Sequence, residues 1–163
     1  MSLHQTAFIA KERVPNRSDL QATVQKLGFD LTIDDFYKPF GCSGFLPCNL
    51  NGEKSGFEIY FGLSEEELQQ FPHRKEAIGN RDSAITFRWG SRMDECACVM
   101  IVSAALANDH GAVVLYQDDD IIYSLAELIA GAKETLLEVQ PAAPSLLPPP
   151  TQPTQRSWWK FWT

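Results

Sequence analysis

The sequence predicts an α+β fold: a largely antiparallel sheet with helices covering one face, followed by a disordered proline-rich C-terminal tail. Three observations carry that expectation. Several short alternating segments are joined by tight turn signals, which favours antiparallel pairing. Helix-period stretches with recognisable start signals stand between them. Six of the ten prolines of the 163-residue chain fall between Pro141 and Pro153, a composition that makes an extended, semi-rigid spacer rather than a core. The expected organisation is a globular domain over residues 1–138, a linker over 139–155 and an aromatic tail over 156–163.

The elements follow in order. Residues 6–11 read as a first strand. Ser18-Asp19-Leu20-Gln21 has the form of a capping box, Leu20, Val24 and Leu27 continue at helical spacing, and Gly28 is placed to end that helix in a left-handed conformation. Residues 29–33 are a short extended piece. Residues 44–50 and 56–63 form a hairpin about Asn51-Gly52, whose residues tolerate positive φ. In its second strand Phe57, Ile59 and Phe61 alternate with Glu58 and Tyr60, so one face meets a core and the other meets water.

Ser64-Glu65-Glu66-Glu67 reads as the capping box of a short helix, with Leu63 and Leu68 spaced for a hydrophobic staple. Residues 84–89 alternate again, Ile85, Phe87 and Trp89 against Thr86 and Arg88. Ser91 and Asp94 resemble a cap ahead of a helix reaching about Asn108, apolar nearly all round and therefore buried on several sides. Residues 113–116 are a central strand, Asp118, Asp119 and Asp120 a solvated turn, and residues 121–123 a further strand. Ser124 and Glu127 cap a last helix, where Leu125, Leu128, Ile129, Ala132 and Leu136 make one stripe.

Composition limits the function classes. Lys and Arg total 14 against 21 Asp and Glu, a net charge of −7, which argues against nucleic-acid binding and tilts toward a basic partner. The first sixteen residues hold no signal-peptide run. The longest near-continuous apolar stretch, residues 96–107, is too short to cross a bilayer. The expectation is a cytoplasmic protein whose four cysteines stay reduced.

The tail carries three of the four tryptophans. Trp158, Trp159, Lys160, Phe161 and Trp162 are its candidate partner-binding residues. Burying each large ring is worth roughly 4–6 kcal/mol, and ordering eight residues costs about 10–20 kcal/mol; the two nearly cancel for four rings, which predicts reversible docking. Three receivers are open: a groove on its own domain, a partner protein, or a lipid surface. Arg156 and Lys160 are its only cations and the domain behind is acidic, so peripheral membrane contact alone would be weak and a partner protein is favoured. Tyr60 and Arg88 join this list, because with Glu58 and Thr86 they would share the open face of the sheet.

No catalytic, cofactor-binding or metal-ligating set stands out. Cys96 and Cys98 point about 200° apart on a helix and do not grip one metal, and Cys42 and Cys48 lack zinc spacing. Cys42, between Gly41 and Ser43-Gly44, is the candidate reactive thiol, and it needs a histidine base from among the scattered His4, His73 and His110. The leading expectation is thus a non-enzymatic binding module; the alternative is a thiol-dependent hydrolase or transferase using Cys42.

Ser43-Gly44-Phe45-Leu46-Pro47, Gly56-Phe57-Glu58-Ile59-Tyr60-Phe61, Ile85-Thr86-Phe87-Arg88-Trp89-Gly90 and the helix over 96–106 together resemble small bacterial proteins of the toxin-immunity type. The resemblance spans about residues 41–128 and implies a compact, acidic, non-enzymatic binder, with no residue roles to carry over. The Trp-Trp-Lys-Phe-Trp ending after a proline-rich spacer is similar to tails on otherwise unrelated bacterial proteins, which implies a portable docking element.

Overall fold

A seven-stranded sheet organises the computed structural model, which describes residues 2–139. The strands are β1 (Leu3–Ile9), β2 (Leu31–Ile33), β3 (Gly44–Leu50), β4 (Glu53–Leu63), β5 (Ser83–Trp89), β6 (Val113–Tyr116) and β7 (Ile121–Tyr123). They lie in the order β2-β3-β4-β5-β1-β6-β7, and every neighbouring pair is antiparallel. The helices are α1 (Arg17–Lys26), α2 (Ser64–Leu68), α3 (Lys75–Ile78), α4 (Met93–Asp109) and α5 (Leu125–Glu138). The fold is therefore α+β, as the turn signals and alternation predict. The linker beyond Val139 and the tail residues Trp158, Trp159, Lys160, Phe161 and Trp162 lie outside the described residues.

α4 is the centre of the packing. Every residue from Cys96 to Leu106 is buried, so the helix must be covered on all sides. The sheet covers one side, α1 and α5 the others. Strand alternation supplies the sheet's half of this core: Ala7, Ile9, Phe57, Ile59, Ile85, Phe87 and Val114 all join one cluster with the helix. One buried polar bond crosses the layers, from Gln5 Nε2 on β1 to Ser103 Oγ on α4 at 2.8 Å.

Local signals place several ends as expected. Asn51 (φ 52°) and Gly52 (φ 85°) turn β3 into β4 with Leu50 directly opposite Glu53, the left-handed pair that a two-residue hairpin requires. Gly28 follows α1 at φ 90°. α5 begins with a complete capping box, Ser124 Oγ accepting from the Glu127 N–H and Glu127 Oε1 accepting from the Ser124 N–H.

Other ends differ from the sequence reading. The first strand starts at Leu3, not residue 6, because β5 pairs with it along its whole length. α1 is capped by Asn16, whose side chain accepts from the Asp19 N–H at 2.8 Å; Ser18 sits inside the first turn. Ser64 does not cap α2: its hydroxyl donates to the Arg81 carbonyl at 2.7 Å. Leu63 is 54% exposed and so makes no staple. Neither Ser91 nor Asp94 caps α4; Asp94 instead accepts from Ser55 Oγ and Arg92. For Ser64 and Asp94 a partner distant in sequence, Arg81 and Ser55, takes the side chain from the helix start.

The outer margin of β2 is closed by side chains from α1. Gln21 donates to the Leu31 carbonyl and accepts from the Ile33 N–H, at 2.6 and 2.8 Å, while Arg17 Nε donates to the Ile33 carbonyl at 2.6 Å.

Two substitutions test these assignments. Gly56 has φ 153°, and a Cβ there would overlap the Phe45 ring and come within 2.5 Å of the Leu46 carbonyl oxygen; Gly56→Ala should cost about 3 kcal/mol in denaturant unfolding. Asn16→Ala should cost about 1 kcal/mol, whereas Ser18→Ala should leave the midpoint nearly unmoved; the reverse ranking would return the cap to Ser18.

Candidate functional site

Among the described residues, the second face of the sheet is only partly covered. The segment holding α2 and α3 lies over one corner, where Phe8, Ala84, Leu115 and Ile78 form a small second core with Leu68, Phe71 and Ile122 packed against it. Alternation sends Glu58 and Tyr60 of β4, Thr86 and Arg88 of β5, and His4 and Thr6 of β1 to this same face. Register aligns them in rows: Glu58, Arg88 and His4 across three strands, then Tyr60, Thr86 and Thr6. All are half-buried except Thr6, which is enclosed.

The side chains are tied to one another. Tyr60 donates its hydroxyl hydrogen to Glu58 Oε1 at 2.6 Å, and Arg88 Nη1 stands 3.7 Å from the same oxygen. Arg88 Nη2 donates to Ser2 Oγ at 3.3 Å. Thr6 and Thr86 share a hydroxyl bond at 3.2 Å, and Gln117 donates to both Thr6 Oγ1 and Glu67 Oε1. The Glu58 carboxylate holds the Tyr60 pKa above its ordinary value, with the Arg88 charge opposing, so the phenol stays a protonated donor. Phe45, directly across from Glu58, leaves 53% of its surface in solvent. The structure thus brings Tyr60 and Arg88 together as the alternation predicts.

Sequence reasoning missed Glu67, Gln117, His4 and Phe45, which complete this surface. His4 would have been found had the first strand been started at Leu3. Glu67 and Gln117 come from a helix and a strand end that only the tertiary fold brings together.

The acidic turn departs from expectation. Asp120, at φ 54°, accepts from Arg74 Nε at 2.9 Å and pairs with His73, while Arg74 Nη2 donates to the Asp120 carbonyl. Asp118 accepts from the His4 N–H at 3.0 Å. These carboxylates are pinned by neighbouring segments rather than merely solvated.

Cys42 is half-buried, and its sulfur accepts from the Lys38 N–H at 3.4 Å. Each histidine ring is engaged elsewhere: His4 beside Asp118, His73 on Asp120 and His110 on Thr23. The cysteine–histidine pairing that the thiol-enzyme alternative requires is thus not among the contacts of Cys42. Among the described residues no cluster of three or more His, Cys, Asp or Glu is placed to hold a metal ion, and no helix is long and apolar enough to cross a membrane. Comparison with protein-family models, curated proteins and solved structures finds no match to this chain.

The Arg74 hydrogen bond, with that of His73 behind it, holds the Asp120 carboxyl below its ordinary value against a smaller opposing effect of burial. A carboxylate with a depressed folded-state pKa stabilises the fold above its unfolded value, and that contribution is lost as pH falls through the folded one. Acid unfolding below about pH 4 should therefore be shallower in Asp120→Asn than in the parent chain, with the neutral-pH melting point lowered; parallel acid curves would exclude a role for this carboxylate.

Proposed function

We propose that this chain is a non-enzymatic protein-binding module whose partner docks on the open part of the sheet around Tyr60, Glu58 and Arg88. The observation that carries the reading is the tied trio itself. An aromatic ring, a carboxylate and a guanidinium are held together on adjacent inner strands, beside the exposed Phe45 ring, on the face that α1, α4 and α5 leave uncovered. Tyr and Arg are the side chains that most often dominate binding energy, and holding them in place before contact lowers the entropy lost on docking. The contact census of Cys42 adds no support to an enzymatic reading.

The acidic chain favours a basic partner, drawn in by long-range attraction. The aromatic tail, through Trp158, Trp159, Lys160, Phe161 and Trp162, serves as a second, separable attachment. The narrower form of the proposal is an immunity-type role in which the partner is a toxin protein. Its support is the resemblance carried by the two central strands and the buried helix, together with the acidity of the chain.

The test begins with the full chain, cross-linked to its partner and mapped by mass spectrometry, followed by calorimetric titration of variants. Tyr60→Ala and Arg88→Glu should each weaken binding tenfold or more, about 1.4 kcal/mol or above, without lowering the melting point. Added salt should weaken it further. Deleting residues 156–163 should leave the domain folded and reduce capture. Unchanged affinity in the Tyr60 and Arg88 variants would move the partner off this face, and unchanged capture after the deletion would remove the tail from the proposal.

A further inference from the structure

Cys48 and Cys98 stand on different elements, β3 and α4, and are 98 − 48 = 50 positions apart in the chain. The strand register sets Cys48 directly across from Ser55, and the Ser55 hydroxyl donates to Asp94 Oδ2 at 2.7 Å. Asp94 and Cys98 are four residues apart on α4 and therefore share a face of that helix. The same face that meets Ser55 thus carries the Cys98 thiol toward Cys48, whose own thiol donates to the Leu46 carbonyl at 3.9 Å. Cys96, two positions earlier, points away from this face, as the helical spacing predicts.

Access to the pair is one-sided. Cys98 is fully enclosed, whereas Cys48, 4% exposed, lines an open cavity of about 620 Å³ together with Asn49, Ser55, Asp94 and Asp34. A small molecule entering from solvent meets Cys48 first and finds Cys98 behind it. Both thiols are free.

We propose that Cys48 and Cys98 form a redox-modification site, closed to an intramolecular disulfide by a low-molecular-weight disulfide or by hydrogen peroxide. With a small disulfide, the Cys48 thiolate attacks one sulfur and expels the first small thiol. The Cys98 thiolate then attacks the Cys48 sulfur of the mixed disulfide and expels the second, so two protein thiols are oxidised and one small disulfide is reduced. With peroxide, the Cys48 thiolate takes one oxygen to become a sulfenic acid, the other oxygen leaving as water. The Cys98 thiolate then displaces that hydroxyl as a second water.

The neighbouring Cys98 side chain and burial hold the Cys48 pKa well above its ordinary value. The thiolate is scarce at neutral pH, and closure quickens as pH rises. Because the bond would tie a strand to a helix across a long loop, it restricts the unfolded chain and raises the melting point.

The full chain is incubated with oxidised glutathione, and separately with peroxide, at neutral and at mildly alkaline pH, then digested without reductant. The expected result is a cross-linked peptide pair containing Cys48 and Cys98, a chain lighter by two hydrogen atoms, faster formation at the higher pH and a melting point raised by several degrees. Cys42→Ala must still form the link; Cys48→Ala and Cys98→Ala must not. Should either core variant fail to fold, the Cys42→Ala chain and the peptide map decide the matter. A stable glutathione adduct left on Cys48, links through Cys42, or a link that forms only in denaturant would each overturn the proposal.

Discussion

An internal helix with no polar side dictates most of this molecule. From Cys96 to Leu106 every residue of α4 is buried, all but Ser103 apolar, so the hydrophobic effect requires a wall on every flank. The sheet is one wall, and α1 and α5 supply the rest. Small residues make the contacts close: Ala97, Ala104 and Ala105 are fully enclosed, and Gly131 of α5 lies against the Met100 methyl. Since α1, α4 and α5 are spent on one face, among the described residues only the short segment of α2 and α3 lies over the other. That imbalance leaves a sheet surface open.

The chemistry of that surface follows from strand periodicity under this constraint. Where the covered face demands Phe57, Ile59, Ile85 and Phe87, the opposite face is free to carry Glu58, Tyr60, Thr86 and Arg88. Their mutual hydrogen bonds fix side chains that would otherwise sample many rotamers. The neighbouring turn is held just as firmly, since Arg74 and His73 grip Asp120 while Asp118 caps the start of β1. Two loops and three strands therefore present one preorganised surface.

Much of the fold was legible because its signals are local. Alternation in residues 84–89, the Asn51-Gly52 turn and the Ser124–Glu127 cap each depend on a few adjacent residues, and each is found where the sequence places it. What stayed illegible depends on distant partners. Ser64 has the composition of a cap but bonds to Arg81, and Asp94 is drawn to Ser55. The Tyr60 and Arg88 pairing was readable from alternation, whereas Gln117 and Glu67 joined it through the tertiary fold alone. The approach of the α4 face bearing Cys98 to the strand of Cys48 was hidden for the same reason, since cysteine spacing says nothing about which strand a helix will cross.

The side chains of α1 that bind β2 have an effect beyond holding a short strand. Leu31 and Ile33 would otherwise present bare backbone groups at one margin of the sheet, the usual invitation for a foreign strand to add on. Gln21 and Arg17 occupy those groups, with the carboxamide of Gln21 imitating a single residue of a neighbouring chain. Filament growth or strand exchange on β2 must first evict them.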